Sequence, residues 1–291
     1  MSLRITSCFY AAIISGFLNG CTIGGEQKLT NIDRAKVALE KGDCALAFEL
    51  LKTLKSNGNL EERYLLGQVL MCLAANDTEE DVAFQLIKSI RDESRKEAKK
   101  NNIDAQYRLA HMYTNTSQLL LDKDEAIYWA NMAAKQGHIA AAYELSQLLV
   151  GKDSFAWLSY SADHGYGEAQ WELANLYALG SAEYGVGKNK KKAFEYYKLA
   201  AENGFEMAFY DYAIDLINGD GGYKNLQEGK KWMLKAAKSG NIAAIKFFVN
   251  AYTIGCYGLN ADSYQAKYWK QRLDLQAGKE AGKTESGVKS R

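Results

Sequence analysis

The chain has 291 residues, enough for one large domain or two small ones, and its 47% apolar and 24% charged content suits a folded protein with an ample core. Its 36 lysines and arginines stand against 35 aspartates and glutamates, so it lacks the basic excess that nucleic-acid binding requires, and that class is excluded. It contains no proline, which favours long uninterrupted helices.

The first 21 residues, MSLRITSCFYAAIISGFLNGC, carry Arg4, then an apolar run to Leu18, and no acidic residue. A membrane span needs about 20 apolar residues, and this run is too short and too polar; its layout is that of a secretory signal. Leu18-Asn19-Gly20-Cys21 resembles a bacterial lipoprotein lipobox, although Asn19 is an uncommon residue at the middle position. The resemblance implies cleavage before Cys21, a lipid on its sulfur and, with Thr22 rather than aspartate next, the outer membrane facing the periplasm. Several acyl chains, each CH₂ contributing about 0.8 kcal/mol, would make a stable anchor. An ordinary cleaved signal with Cys21 incidental is the other reading. Residues 1–20 are then a signal and 21–30 a tether, and the remaining chain is neutral, 35 basic against 35 acidic residues.

Residues 31–103 read as divergent helical hairpins. In NIDRAKVALEKGDCALAFELLKTLKSNGN, Gly42-Asp43 is the turn and Gly58 the terminator; LEERYLLGQVLMCLAANDTEEDVAFQLIKSI is a second pair. Cys44 and Cys72 lie 14 residues before and after Gly58, so antiparallel packing sets them at one level. Export to an oxidising compartment allows pairing, and two readings stay open: a structural disulfide or two buried thiols. RDESRKEAKKNN (91–102) is an exposed helix end or a linker.

From residue 104 the chain repeats itself. YWANMAAKQG (128–137) returns as AWLSYSADHG, EYYKLAAENG and KWMLKAAKSG, ending at Gly137, Gly165, Gly204 and Gly240. Eight residues before each glycine stands an aromatic (Trp129, Trp157, Tyr196, Trp232), three before it an alanine, and four after it another alanine (Ala141, Ala169, Ala208, Ala244). At helical spacing the aromatic and the small residues share a face, where small side chains let a neighbouring helix come close. Each glycine ends its helix in the left-handed conformation, and the alanine beyond it opens the next. The unit is therefore two antiparallel helices, A then B, joined by an A–B loop of variable length, and such pairs bury their apolar faces only by stacking.

The pattern resembles the Sel1-like repeat family, relatives of tetratricopeptide repeats. The residues that carry it are AQYRLAHMYTNTSQLLLDKDEAIYWANMAAKQGH (105–138), AQWELANLYALG…KKAFEYYKLAAENG (169–204) and AFYDYAIDLINGDGGYKNLQEGKKWMLKAAKSG (208–240). A shortened copy fills 140–165 and a last pair 243–273, so the repeats span 104–273. The implied fold is all-α, a right-handed α-solenoid of antiparallel helix pairs. Residues 274–291 have few apolar side chains and read as a disordered tail.

Chemistry is sparse in the sequence. GVGKN (185–189) has Ala182 where a phosphate loop needs glycine, and Asn189 where it needs Ser or Thr. NGDGG (218–222) offers one carboxylate where a calcium loop needs several, and reads as a turn. His138 and His164 flank helix-ending glycines, where an imidazole caps carbonyls. Neither a metal-ligand spacing nor a nucleophile–base order stands out, so no enzyme activity, metal, cofactor or small-molecule substrate is expected.

What remains is surface. The positions six and ten residues after each marker fall one turn apart on helix A: Tyr143 and Gln147, Trp171 and Asn175, Tyr210 and Ile214, with Tyr107 and His111 in the preceding unit. Such a row offers aromatic anchors beside polar groups to a protein partner, unless the aromatics only pack between repeats. Sel1-like lipoproteins resemble immunity proteins that cover periplasmic effectors, notably phospholipases delivered by secretion systems. That resemblance implies steric inhibition of a toxic effector. A general envelope scaffold or signalling adaptor is the alternative, and a cell-wall hydrolase the alternative of another class.

Overall fold

A computed structural model describes residues 30–40, 42–52, 59–115 and 121–286. Cys21, the signal, most of the tether and Gly58 lie outside them. The described residues form α1 (Asn31–Glu40), α2 (Cys44–Leu51), α3 (Leu60–Leu73), α4 (Asp77–Lys99), α5 (Ile103–Asn115), α6 (Lys123–Lys135) and α7 (Ile139–Leu148). They continue with α8 (Gly151–Asp163), α9 (Gly167–Leu179), α10 (Lys190–Glu202), α11 (Ala208–Asn218), α12 (Leu226–Lys238), α13 (Ile242–Ile254) and α14 (Ser263–Ser286). The fold is all-α, a series of A–B helix pairs; the sole strand-like pairing among the described residues is a bridge between Ser181 and Val186 in the α9–α10 loop.

Helix ends are written by the same grammar in unit after unit. The B helices α6, α8, α10 and α12 run into Gly137, Gly165, Gly204 and Gly240, all at positive φ. The amide just beyond each glycine reaches back to Ala133, Ser161, Ala200 and Ala236 respectively, closing a Schellman turn. Helix α4 ends likewise with Asn101 at φ 68 and an Asn102-to-Glu97 bond, so an asparagine takes the glycine's place there. The N-caps of α6, α10 and α12 are Asp122, Asn189 and Asn225, and each cap amide donates to the last turns of the preceding A helix, at Tyr113, Tyr177 and Leu216. Asn189 is thus a helix cap.

The molecule divides into two compact units, residues 1–169 and 170–291, the boundary falling within α9. In the first unit, Ala35, Ala38, Ala47, Leu51, Leu65 and Val69 make a small N-terminal core. Ala98, Leu109, Ala126, Ala133, Ala142 and their neighbours make a larger one further along, with Trp129 buried among them. In the second unit, Ala213, Met233, Ala236, Ala244, Phe248 and Trp269 are buried together. Alanines at helix crossings permit close backbone approach, and the aromatics fill the space beside them.

Two stretches depart from the sequence reading. The charged run at 91–99, read as an exposed helix end or a linker, is the helix end of α4, but it is not wholly exposed: Ser94 and Ala98 are buried beneath its lysines and glutamates. The segment from Asp274 to Ser286, read as a disordered tail, continues α14. Its alanines, glutamates, lysines and glutamine are strong helix formers, and no proline stops the helix begun at Ser263.

Candidate polar and aromatic binding face

Cys44 opens α2 and Cys72 lies in the last turn of α3, and the two are joined by a disulfide across 6.2 Å between Cα atoms. It pins the first hairpin to the second.

In the first unit the A-helix row forms a connected cluster. Tyr107 and His111, one turn apart on α5, have ring centroids 6.0 Å apart, and Tyr64 from α3 meets His111 edge-on at 6.3 Å. Tyr107 stacks on His138 at 4.3 Å. The Glu144 carboxylate from α7 accepts the Thr114 hydroxyl and lies 3.4 Å from His111 Nδ1. His138 is an N-cap: its Nδ1 accepts the Ala141 amide at 3.1 Å, where the sequence reading had it capping carbonyls. Burial pushes its pKa below the ordinary histidine value, against the opposing pull of Asp104 and Glu144. His164 does cap a carbonyl, that of Tyr160, at 2.7 Å.

Tyr143 is not part of the accessible row. It is 5% exposed, with its ring 5.0 Å from that of Tyr166, and belongs to packing between repeats. Gln147, one turn on, is exposed.

In the second unit Trp171 and Asn175 of α9 are half-buried and held by hydrogen bonds from neighbouring helices. Trp171 Nε1 donates to Asp211 Oδ2 at 2.7 Å, and Asn175 Oδ1 accepts the Tyr197 hydroxyl at 2.6 Å. Tyr210 is half-buried beside Asp211 on α11. Burial raises the pKa of Asp211, opposed by the Trp171 bond. Asp215, one turn further, is pushed up to about 7, first by burial and then by Asp220 and Asp211, with Lys190 acting in the other direction. Burial likewise raises the pKa values of Tyr197 and Tyr210. Asp220 of the NGDGG turn is bound to Lys190 at 2.7 Å.

The row at six and ten residues after the marker thus supplies Tyr107, His111, Gln147, Trp171, Asn175 and Tyr210, while its carboxylates come from an adjacent position. An acid recurs seven residues after each of three successive markers, as Glu144, Glu172 and Asp211. That spacing was open to inspection in the sequence. A second recurring device lies at the other end of helix A: Gln106 accepts from Gln136 at 2.7 Å, and Gln170 accepts from Asn203 at 2.8 Å. Each clasp ties the start of an A helix to the end of its own B helix.

The family model for the Sel1 repeat matches residues 103–138, 167–205 and 210–241. A Sel1 repeat protein from Oxalobacter formigenes superposes with a TM-score of 0.59 at 21% identity, covering 84% of this chain and 99% of the other, a likeness of fold. An immunity protein from Pseudomonas aeruginosa is a more distant likeness, with a TM-score of 0.49 at 17% identity over 78% of this chain and 85% of the other. In sequence, an exopolysaccharide production negative regulator from Rhizobium meliloti is 28% identical over 147 residues, 44% of this chain and 55% of that protein. The match thus spans about half the length of the regulator.

Proposed function

Because the chain carries Sel1 repeats, we propose that it works by holding another protein against the A-helix row. The observation that carries this is the row itself. Half-buried aromatic, imidazole, amide and carboxylate groups recur at corresponding positions of the A helices in each unit, and part-buried hydrogen bonds within the unit fix them in place. Groups fixed before a partner arrives lose little freedom on binding, and aromatic residues set among polar ones make strong anchors. His111 lies against Glu144 and Trp171 donates to Asp211, so these side chains are held in place ahead of any partner.

The specific form we propose is an immunity protein. In it the chain, lipid-anchored at Cys21 and facing the periplasm, covers the working surface of a toxic effector of phospholipase type and blocks it by occlusion. The disulfide between Cys44 and Cys72 supports an oxidising location. A second reading, an envelope scaffold or adaptor, is favoured by the sequence match to a negative regulator of exopolysaccharide production.

The test is affinity capture from envelope extracts with the wild-type chain and with His111→Ala and Trp171→Ala. A single enriched partner, lost about tenfold by the variants while each stays folded with the helical circular dichroism of wild type, is the expected result; equal recovery by all three chains defeats the proposal. Loss of the gene should sensitise cells to a co-encoded effector under the immunity form, and alter polysaccharide output instead under the adaptor form. Cys21→Ser should shift the protein out of the membrane fraction.

A further inference from the structure

The near-zero net charge hides a division. Residues 1–169 hold 18 basic and 22 acidic residues, whereas residues 170–291 hold 18 basic and 13 acidic. The two halves also treat their cations differently. In the first unit Lys36, Arg63 and Arg95 are bound to Glu61, Glu93 and Glu125. In the second, Lys231, Lys235 and Lys238 stand exposed on successive turns of α12, and none forms an ion pair among the described residues.

Lys231 and Lys235 line a surface groove with Trp232, Asn225, Gln227 and Glu228. Lys235 Nζ lies 3.6 Å from the centroid of the Trp232 ring, which is half-buried against Phe209 and Tyr212. Glu228, the groove's one acid, is occupied at the head of the helix, where its carboxylate accepts from Asn225. The groove therefore presents two cations one turn apart, the complement of a helix face with two acids one turn apart.

The first unit carries such a helix. The opening turns of α4 expose Asp77, Glu79, Glu80 and Asp81. Glu79 is spent on the Ala75 amide and Asp81 accepts from Gln85, but Asp77 and Glu80 bind nothing among the described residues. Asp77 and Glu80 share one helix face about one turn apart, which matches the spacing of Lys231 and Lys235.

We propose that the α12 groove docks the start of α4 from a second copy of the chain, with Asp77 and Glu80 on Lys231 and Lys235. Groove and helix are different surfaces, so two copies close on each other where both grooves are filled at once, and copies add head-to-tail where only one is. Exposed ion pairs are individually weak and screened by salt, so the association is salt-sensitive.

Charge reversal tests it on the full chain in non-ionic detergent by sedimentation at low and high ionic strength. Wild type associates at low salt and dissociates as salt rises. Lys231→Glu/Lys235→Glu and Asp77→Lys/Glu80→Lys each weaken association about tenfold or more. Mixed in equal amounts, the two double variants associate again, because each offers the other a complementary pair of surfaces. A wild type that stays monomeric, or a mixture that stays apart, overturns the proposal. So does groove-dependent binding of a monomer to vesicles containing phosphatidylglycerol, which would assign the lysines to a lipid surface.

Discussion

His138 performs at the head of α7 the task that Asn102 and Asn241 perform at the heads of α5 and α13, each accepting the amide three residues on. An imidazole can accept at Nδ1 only while that nitrogen carries no proton, so the cap exists only in the neutral ring. Burial already holds the folded-state pKa of His138 below its ordinary value. The stabilisation is therefore present above the unfolded-state value near 6.5 and is lost as pH falls through the lower folded-state value. His138→Asn keeps the acceptor and removes the titration. Urea unfolding between pH 7.5 and 5 should show wild type losing about 1 kcal/mol more than the variant, the usual worth of a helix cap. Equal slopes would mean that the ring caps nothing in solution.

At the scale of helices and loops, the sequence declares most of the architecture because each B helix ends on a glycine and each A helix opens on a buried alanine. Those two marks locate α6 through α13. They fail where another residue takes the same backbone state, as Asn101 does after α4, and where a helix simply runs on, as α14 does past Leu273. The binding row was legible in part. Periodicity put Trp171 and Asn175 on one face, but burial of Tyr143 depends on Tyr166 just beyond the closing glycine of its repeat, which spacing along helix A does not encode. The carboxylates of Glu144 and Asp211 belong to the row through bonds to Thr114 and Trp171, a fact of packing between helices. The NGDGG loop shows how much packing adds. Gly221 has φ 70, and a Cβ there would meet the Lys190 carbonyl oxygen at 2.0 Å; Gly185 has φ 67 and open space around it. Gly185→Ala should cost only the left-handed penalty of roughly 1–2 kcal/mol, and Gly221→Ala roughly 2 kcal/mol more, because the loop must leave the start of α10. Unfolding midpoints of the two variants measure the difference, and equal losses would show the loop to be free of α10.

At the scale of the whole chain, each helix pair leans on its neighbours, so stability in each unit is close to a sum of local and nearest-neighbour contributions. The N-terminal core of the first unit is the thin place. Three of its six buried residues are Ala35, Ala38 and Ala47, which bring little apolar area to balance the entropy of ordering α1, α2 and α3. The Cys44–Cys72 disulfide closes a loop with a sequence separation of 28 at that place, which by chain entropy stabilises the folded state by about 3–4 kcal/mol. Because contacts are local, the consequence of losing it should be local too. Cys44→Ser/Cys72→Ser should raise amide hydrogen exchange throughout α1, α2 and α3, and the effect should fade through α4. The amides of Ala130, Ala133 and Ala142 should keep their protection, since their core is built from α4 to α8 and receives nothing from the first hairpin. The same pattern should follow from adding a reductant to wild type, which separates loss of the bond from any effect of the serines. Loss of protection spread evenly over α1 to α7 would instead mean that the first unit unfolds as one cooperative block, with the disulfide stabilising all of it.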